Sequence, residues 1–265
     1  FGQTVNCIKK KRNVYEVVTN KSKYIAKFIL DTRPQKNAFK TNPFLYQSFL
    51  GYEILLDKKH DFNKKLYLMK DMCSIRNSFF FNYILGLSKY SLLFEITSFS
   101  KKKHSKDYLS YKLENTLKKY GINNYKIIRT EYGIIPMGFM KKRNSLNQGY
   151  VIAGASSGAL RPSSGYAFLR IQDWAKECAF SIKRKGTLLP HPKQKRTQYI
   201  LDYLFLYILQ NNLKLAPYIF FTFFKRICPA SFVRFMTDKN NILDIFKIIF
   251  AMPKRIFLLC LIKKS

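Results

Sequence analysis

The sequence predicts a mixed α/β (α+β) fold with a mostly antiparallel sheet, a strand–loop–helix segment after it and a helical C-terminal part. Three observations carry this. Residues 44–99 are runs of aromatic and aliphatic strand formers between short turn signals. Residues 149–185 pass from an apolar strand through small residues into a helical pattern. Residues 197–262 are aromatic-rich and broken at Pro217, Pro229 and Pro253. At 265 residues, 47% apolar and 16% aromatic, the chain can bury a core for one large domain or two small ones. Intrinsic disorder and a disulfide-stapled miniature scaffold are excluded.

Each element has a local reason. In VYEVVTNKSKYIAKFIL, Asn20–Ser22 is a turn between two β-branched and aromatic runs, and Pro34 stops the second after Asp31-Thr32-Arg33. FLYQSFLGYEILL is a strand ended by Asp57–Asp61, and KLYLMKDM is another. FFFNYILGL and YSLLFEITSF form a hairpin about Ser88-Lys89-Tyr90. Leu109, Leu113, Leu117 and Tyr120 recur at helical spacing ahead of Gly121, which predicts a helix over 105–120. YKIIRTEYGIIPMG is a further strand carrying Glu131, Gly133 and Pro136. YVIAG is a buried strand, and Ala167–Lys185 is a helix starting near the Pro162–Gly165 turn. A strand, a small-residue loop and a helix N-terminus offer free N–H groups to a phosphate, although the spacing matches neither GxGxxG nor the P-loop. In the tail, Pro217 and Pro229 suit the starts of helices. Tyr203–Leu213 and Leu215–Phe224 are uncharged but too short to span a bilayer.

Charge narrows the partners. Lys and Arg number 48 against 15 Asp and Glu, a net +33. The basic residues are spread along the chain, no C2H2, RRM-like or KH-like run occurs, and nucleic acid is not the expected partner. They flank the apolar tail instead, so the charge reads either as compositional drift or as suited to an anionic membrane surface met peripherally. Cys7, Cys73, Cys178, Cys228 and Cys260 have no CxxC spacing, and His60, His104 and His191 are scattered, so no metal site is expected. A reducing cytosolic setting is the default, and a start at Phe1 predicts missing N-terminal sequence.

Six stretches, in register, resemble the flavin-dependent lycopene cyclase family of carotenoid biosynthesis. Asp31-Thr32-Arg33-Pro34 resembles its D-x-R-P, and Gln47-Ser48-Phe49-Leu50-Gly51-Tyr52-Glu53 its Q-x-F-x-G-W/Y-E. Leu68-Met69-Lys70-Asp71 is similar to L-M-D-F, Leu93-Phe94-Glu95-Ile96-Thr97 to L-x-E-x-T, and Glu131 to Met137 to E-x-G-x-I-P-M. Gly154 to Tyr166 resembles G-x-x-G-G-x-x-x-P-S/T-T-G-Y beside the flavin, with Ser157 in place of a Gly and Arg161 in place of a His. Arg234-Phe235-Met236-Thr237 is similar to the family's C-terminal part.

The resemblance implies a glutathione-reductase/hydroxylase-like flavoprotein that lacks its N-terminal βαβ. Residues 1–34 are then a remnant of the FAD-binding domain and 35–135 a β-rich substrate-binding domain. Residues 136–190 return to the FAD-binding domain, and 191–265 form a lipophilic helical region. It implies a lycopene cyclase, by default a β-cyclase, of the intramolecular lyase or isomerase class, possessing FAD in reduced form with NAD(P)H as reductant. Its substrate, lycopene, would be met peripherally at the cytoplasmic membrane. Cyclisation needs an acid, an electron-rich surface for the cation, a base and a dry cavity. The resemblance makes Glu95 the first candidate for acid/base work, with burial among Leu93, Phe94 and Ile96 raising its pKa. Alternation equally allows Glu95 to face solvent, opposite Phe94 and Ile96. Glu53 and Glu131 are secondary catalytic candidates, and Phe79, Phe80 and Tyr83 are candidates to face a cation. Asp31, Gly154, Gly158, Arg161, Pro162, Gly165 and Tyr166 form the cofactor-side set. Two other readings stay open: an FAD-dependent monooxygenase acting on a lipid or aromatic substrate, and a non-enzymatic membrane-peripheral module.

Overall fold

Each strand run read from the sequence forms a strand, but one of them divides between two partners. The computed structural model describes residues 1–33, 42–140 and 149–262; Pro34 lies outside them. In chain order the strands are β1 (Val5–Lys11), β2 (Val14–Thr19), β3 (Lys23–Ala26), β4 (Ile29–Asp31), β5 (Leu45–Leu56), β6 (Leu66–Ile75), β7 (Ser78–Gly86), β8 (Ser91–Ser100), β9 (Tyr125–Met137) and β10 (Tyr150–Ile152). The helices are α1 (Lys106–Lys119), α2 (Phe168–Lys185), α3 (Arg196–Asn211), α4 (Ala216–Arg226), α5 (Pro229–Met236), α6 (Ile242–Ala251) and α7 (Lys254–Ile262). Short 3-10 turns occupy Gly154–Ser157 and Leu213–Leu215. The chain forms two compact units, Phe1–Thr41 with Phe139–Arg196, and Asn42–Gly138 with Thr197–Ser265.

In the first unit β1, β2 and β3 form an antiparallel meander. Its second turn is the one expected: Thr19 Oγ1 accepts from the N–H groups of Lys21 and Ser22 at 3.2 and 2.9 Å. The run after that turn splits. Lys23–Ala26 stays on β2, whereas Ile29–Asp31 pairs in parallel with β10. Phe28, at the switch, packs against a core of Val151, Ala153, Trp174, Cys178 and Leu188. That core is supplied by β10 and α2, so a segment over a hundred residues away decides where β3 ends. Helix α2 stops at Gly186, which takes the left-handed conformation (φ 62°) that terminates helices.

The second unit is built on a five-stranded antiparallel sheet in the order β6-β7-β8-β5-β9. Ser105 caps α1 through the N–H of Tyr108, and Leu109, Leu113 and Leu117 are fully buried. They pack on Leu50, Tyr52 and Ile54 of β5, Ile84 of β7, and Leu92, Phe94 and Ile96 of β8. Side chains alternate across a strand, so the even-numbered residues of β5, β7 and β8 take the α1 face and the odd-numbered ones the other. The β7–β8 turn closes as expected, Ser88 Oγ accepting from Tyr90 N and Ser91 N. The β6–β7 turn was not legible: Arg76 and Asn77 both hold positive φ (46° and 61°), a primed turn without its usual glycine. Edge strand β6 is bulged, with Met69 and Asp71 also at positive φ and two register slips against β7. Tyr120 and Asn82 pin that bulge by donating to Asp71 Oδ2 at 2.6 and 3.1 Å.

The helical tail belongs to the same unit. Pro217 and Pro229 sit in the first turns of α4 and α5. Phe223, Ile227, Phe235, Ile248 and Ala251 form its core. Arg234 forks onto buried Asp244 at 2.8 and 2.6 Å, and Asp244 closes a capping box with Asn241 at the start of α6. Helix α4 lays Phe220 flat on Phe79, centroids 5.2 Å apart, and thereby covers one end of the odd-numbered sheet face. Ser74 Oγ ties the tail to β6 by donating to Leu213 O at 2.7 Å.

Truncating the centre of the α1 seam checks this packing. Leu113→Ala should cost about 3 kcal/mol in urea unfolding, and Leu113→Met less than about 1.5 kcal/mol, because only the first leaves a cavity.

Candidate active site

Register decides which side chains meet. On the odd-numbered face, directly paired residues form cross-strand rows, and the central row is Tyr83 (β7), Glu95 (β8), Gly51 (β5) and Glu131 (β9). The next row on one side is Leu85, Leu93, Glu53 and Arg129; on the other it is Phe81, Thr97, Phe49 and Gly133. The three carboxylates expected from the sequence therefore share one face in two adjacent rows. Phe79 and Tyr83 join them there. Phe80 does not: it turns to the α1 face, into the core with Leu109 and Leu113, because a strand's period of two separates it from its neighbours. That corrects its place among the cation-facing aromatics.

The carboxylates differ in environment. Glu95 does lie opposite Phe94 and Ile96, as alternation allows, but it is not open to bulk water. Burial pushes its carboxyl pKa up, and a 2.8 Å hydrogen bond from Thr97 Oγ1 to its Oε1 offsets part of that rise. Tyr83, beside it, has its phenol pushed up to about 12, first by burial and then by the Glu95 charge. Gly51 keeps the next place in the row empty, since a Cβ there would stand 3.4 Å from Glu95 Cβ. Beyond it, two strand spacings or about 9.6 Å from Glu95 at the backbone, comes Glu131. Arg129 ion-pairs with Glu131 and donates from Nε to Glu53 Oε2 at 3.0 Å. Their side chains are 39% (Glu131), 27% (Glu53) and 53% (Arg129) exposed. One face thus carries a desolvated acid and, across a glycine gap, two carboxylates held by a guanidinium. Its other end is aromatic, with Phe81 edge-on to Tyr83 and to Phe99 at 5.3 and 5.2 Å and Phe220 lying over Phe79.

The cofactor-side set lies in the first unit. Asp31 ends β4, and its carbonyl accepts from Ala153 N at 2.9 Å, one residue before Gly154. Its carboxylate is saturated within the chain: Arg33 grips it through Nε and Nη2 at 2.9 and 2.8 Å, and Tyr150 donates to it at 2.6 Å. The Arg33 hydrogen bond, with help from Tyr150, holds its pKa down at about 2. Gly154 and Gly158 bracket the 3-10 turn at φ 70° and 89°, conformations that favour glycine, and the side of Gly158 where a Cβ would stand is open. Arg161 is fully buried, and its backbone closes a second tight loop by donating to Tyr166 O (2.9 Å) and accepting from Gly165 N (2.8 Å). Pro162 is buried in that loop, and Gly165 and Tyr166 are half-buried. Helix α2 follows, with no side-chain cap on its first N–H groups.

Residues that the sequence did not single out complete both places. Thr97 and Gly51 stood inside quoted stretches without a role, and Arg129 was legible only as a residue two before Glu131 on one strand. His191 gave no signal at all. It accepts from Gly154 N at Nε2 (3.3 Å) and stacks on Trp174, centroids 4.2 Å apart. Burial, with the Arg170 charge, pushes its pKa down to about 4, which keeps the acceptor nitrogen unprotonated at neutral pH. The open Gly158 side and the uncapped N–H groups of α2 fit one flank of a flat anionic cofactor such as a flavin. No Gly-rich βαβ for a dinucleotide's adenosine half occurs in this sequence.

The family described as lycopene cyclase protein matches residues 2–260. No curated protein matches the chain in sequence. Among solved structures, the peptidyl tryptophan dihydroxylase QhpG, essential for tryptophylquinone cofactor biogenesis, is 12% identical at a TM-score of 0.45, covering 89% of this chain and 50% of that one. The halogenase PltM is 12% identical at a TM-score of 0.39, covering 79% and 45%. The chain spans about half the length of these two structures.

Asp31 gives a pH test of the first unit. Its pKa falls from an ordinary 3.8 to about 2 on folding, so its contribution is full above pH 4 and is lost as pH drops toward 2. Urea unfolding followed by Trp174 fluorescence should show stability falling through that window. Asp31→Asn should lose about 2 kcal/mol at neutral pH and much of the dependence.

Proposed function

The chain belongs to the lycopene cyclase family, and on that premise we propose that it serves the acid/base cyclisation of the linear ends of lycopene, with Glu95 as the proton donor. The row Tyr83–Glu95–Gly51–Glu131 is the observation that carries this reading. Cyclisation adds one proton to a terminal double bond, forms a ring bond as the neighbouring alkene attacks the cation, and releases one proton. Nothing is oxidised or reduced overall. The protein must supply a dry acid, a surface that tolerates positive charge, and a base.

Glu95 suits the first role because burial raises its pKa above the ordinary carboxylate range, which favours the protonated, proton-donating form. Thr97 occupies Oε1, which leaves Oε2 to carry the proton. Tyr83, with its phenol kept protonated, and Phe81 present ring faces and edges beside that carboxyl, and a cation is attracted to a ring face. Glu131 or Glu53 takes the ring proton, and Arg129 orients both. The gap at Gly51 leaves room for the forming ring between donor and acceptor. The proposed cofactor is FAD, with Gly154, Gly158, Gly165 and Tyr166 against it, Arg161 and Pro162 shaping the second loop, and Asp31 bracing the strand end. Reduced flavin, when bound, supplies an electron-rich surface and consumes no substrate electrons, with NAD(P)H as its reductant. The β-ring is the proposed product.

Conversion of lycopene, measured anaerobically with FAD and a reductant, tests the assignment. Glu95→Gln should lower the rate by about a hundredfold or more. The rate should fall as pH rises past the Glu95 pKa, since the donor must be protonated. Thr97→Val removes a hydrogen bond that favours the ionised form, so this alkaline limb should move to higher pH. A Glu95→Gln protein as fast as its parent, or an absolute need for oxygen, would overturn the proposal.

A further inference from the structure

Helix α6 is apolar on two opposite sides, and its packing uses only one. At 100° per residue, Asp244, Ile248 and Ala251 share the buried side against α4 and α5. Ile249, Ile242, Phe246, Phe250 and Leu243 fall within an arc of about 120° on the other side. These five side chains are 42–68% exposed. A helix packed on one side needs no second apolar stripe, so this stripe has a role outside the core.

Charge identifies what it meets. From residue 213 to the C-terminus there are ten Lys and Arg but only two acids, Asp238 and Asp244, and Asp244 is buried and held by Arg234. Lys247 borders the apolar arc, Lys254 and Arg255 follow at the start of α7, and all three are exposed. Lys254 lies over the Phe250 ring, 4.4 Å from its centroid. An ammonium on an alkyl stem beside an exposed ring suits a headgroup layer, where the stem rests in apolar surroundings and the charge stays wet. A second copy of the chain would instead bring like charge against like charge.

We propose that the Ile242–Phe246–Phe250 face of α6 inserts into an anionic lipid surface, with Lys247, Lys254 and Arg255 as its cationic rim. The helix lies in the interfacial plane. Its ten residues extend about 15 Å, half the hydrocarbon thickness, and among the described residues no helix is long and apolar enough to cross a membrane.

Flotation of the full chain with phosphatidylcholine vesicles, with and without phosphatidylglycerol, tests it. The protein should rise with the anionic vesicles, less so as salt increases, and bind neutral vesicles weakly. Phe246→Ser with Phe250→Ser should weaken anionic-vesicle binding by about tenfold or more. Lys247→Gln with Lys254→Gln should weaken binding to anionic vesicles only. All these side chains are exposed, so the melting temperature and circular dichroism should match the parent, showing that lost binding is not lost folding. Equal binding by the Phe246/Phe250 variant and its parent would overturn the proposal. So would equal binding to neutral and anionic vesicles, or a dimer that the Phe246/Phe250 variant dissolves while the parent ignores vesicles. Because the readout is binding, its failure would leave the cyclisation reading standing, and a failed cyclisation assay would leave the lipid face standing.

Discussion

The sheet of the second unit has one face that must be dry, and that requirement governs the rest. Leu109, Leu113 and Leu117 of α1 are buried against even-numbered residues of β5, β7 and β8. A slip of one residue in any of these strands would turn its apolar set away from the helix. The same lock places Tyr83, Glu95, Gly51 and Glu131 in one row on the opposite face. The geometry of the candidate site is therefore a consequence of a hydrophobic seam on the other side of the sheet.

Electrostatics then divides the acidic residues by role. Glu95 is pushed toward its neutral form by burial, with a single hydroxyl as its hydrogen-bonding side-chain partner among those described. Asp31 and Asp244 are more deeply buried than Glu95 but are gripped by arginine forks, which hold their pKa values down. Burial raises a carboxyl's pKa and a paired guanidinium lowers it, and the balance of the two sets each carboxyl apart. The two ion pairs fasten a strand end and a helix start, whereas the carboxyl without a cation is the one whose pKa burial moves upward.

A similar economy holds in the first unit. The Gly154–Ser157 turn is tied to β4 through Ala153 and to His191 through Gly154. An imidazole that stays neutral accepts that N–H without adding charge at the loop. The side of Gly158 where a Cβ would stand is open.

Much of this was legible in the sequence. Strand runs, the α1 stripe, the Ser88 turn, the proline starts of α4 and α5, and the candidacy of Glu95, Glu53 and Glu131 all follow from period, propensity and resemblance, which act within a few residues. The split of the Lys23–Leu30 run, the Arg76–Asn77 turn, the departure of Phe80, the place of Arg129 and the pairing of His191 with Gly154 were not. Each depends on a partner distant in sequence or on backbone strain that packing holds. Local chemistry fixed which groups were available to act. Strand register and burial decided which of them share a face and which one has its pKa raised, because desolvation and pairing belong to the folded chain and not to any segment of it.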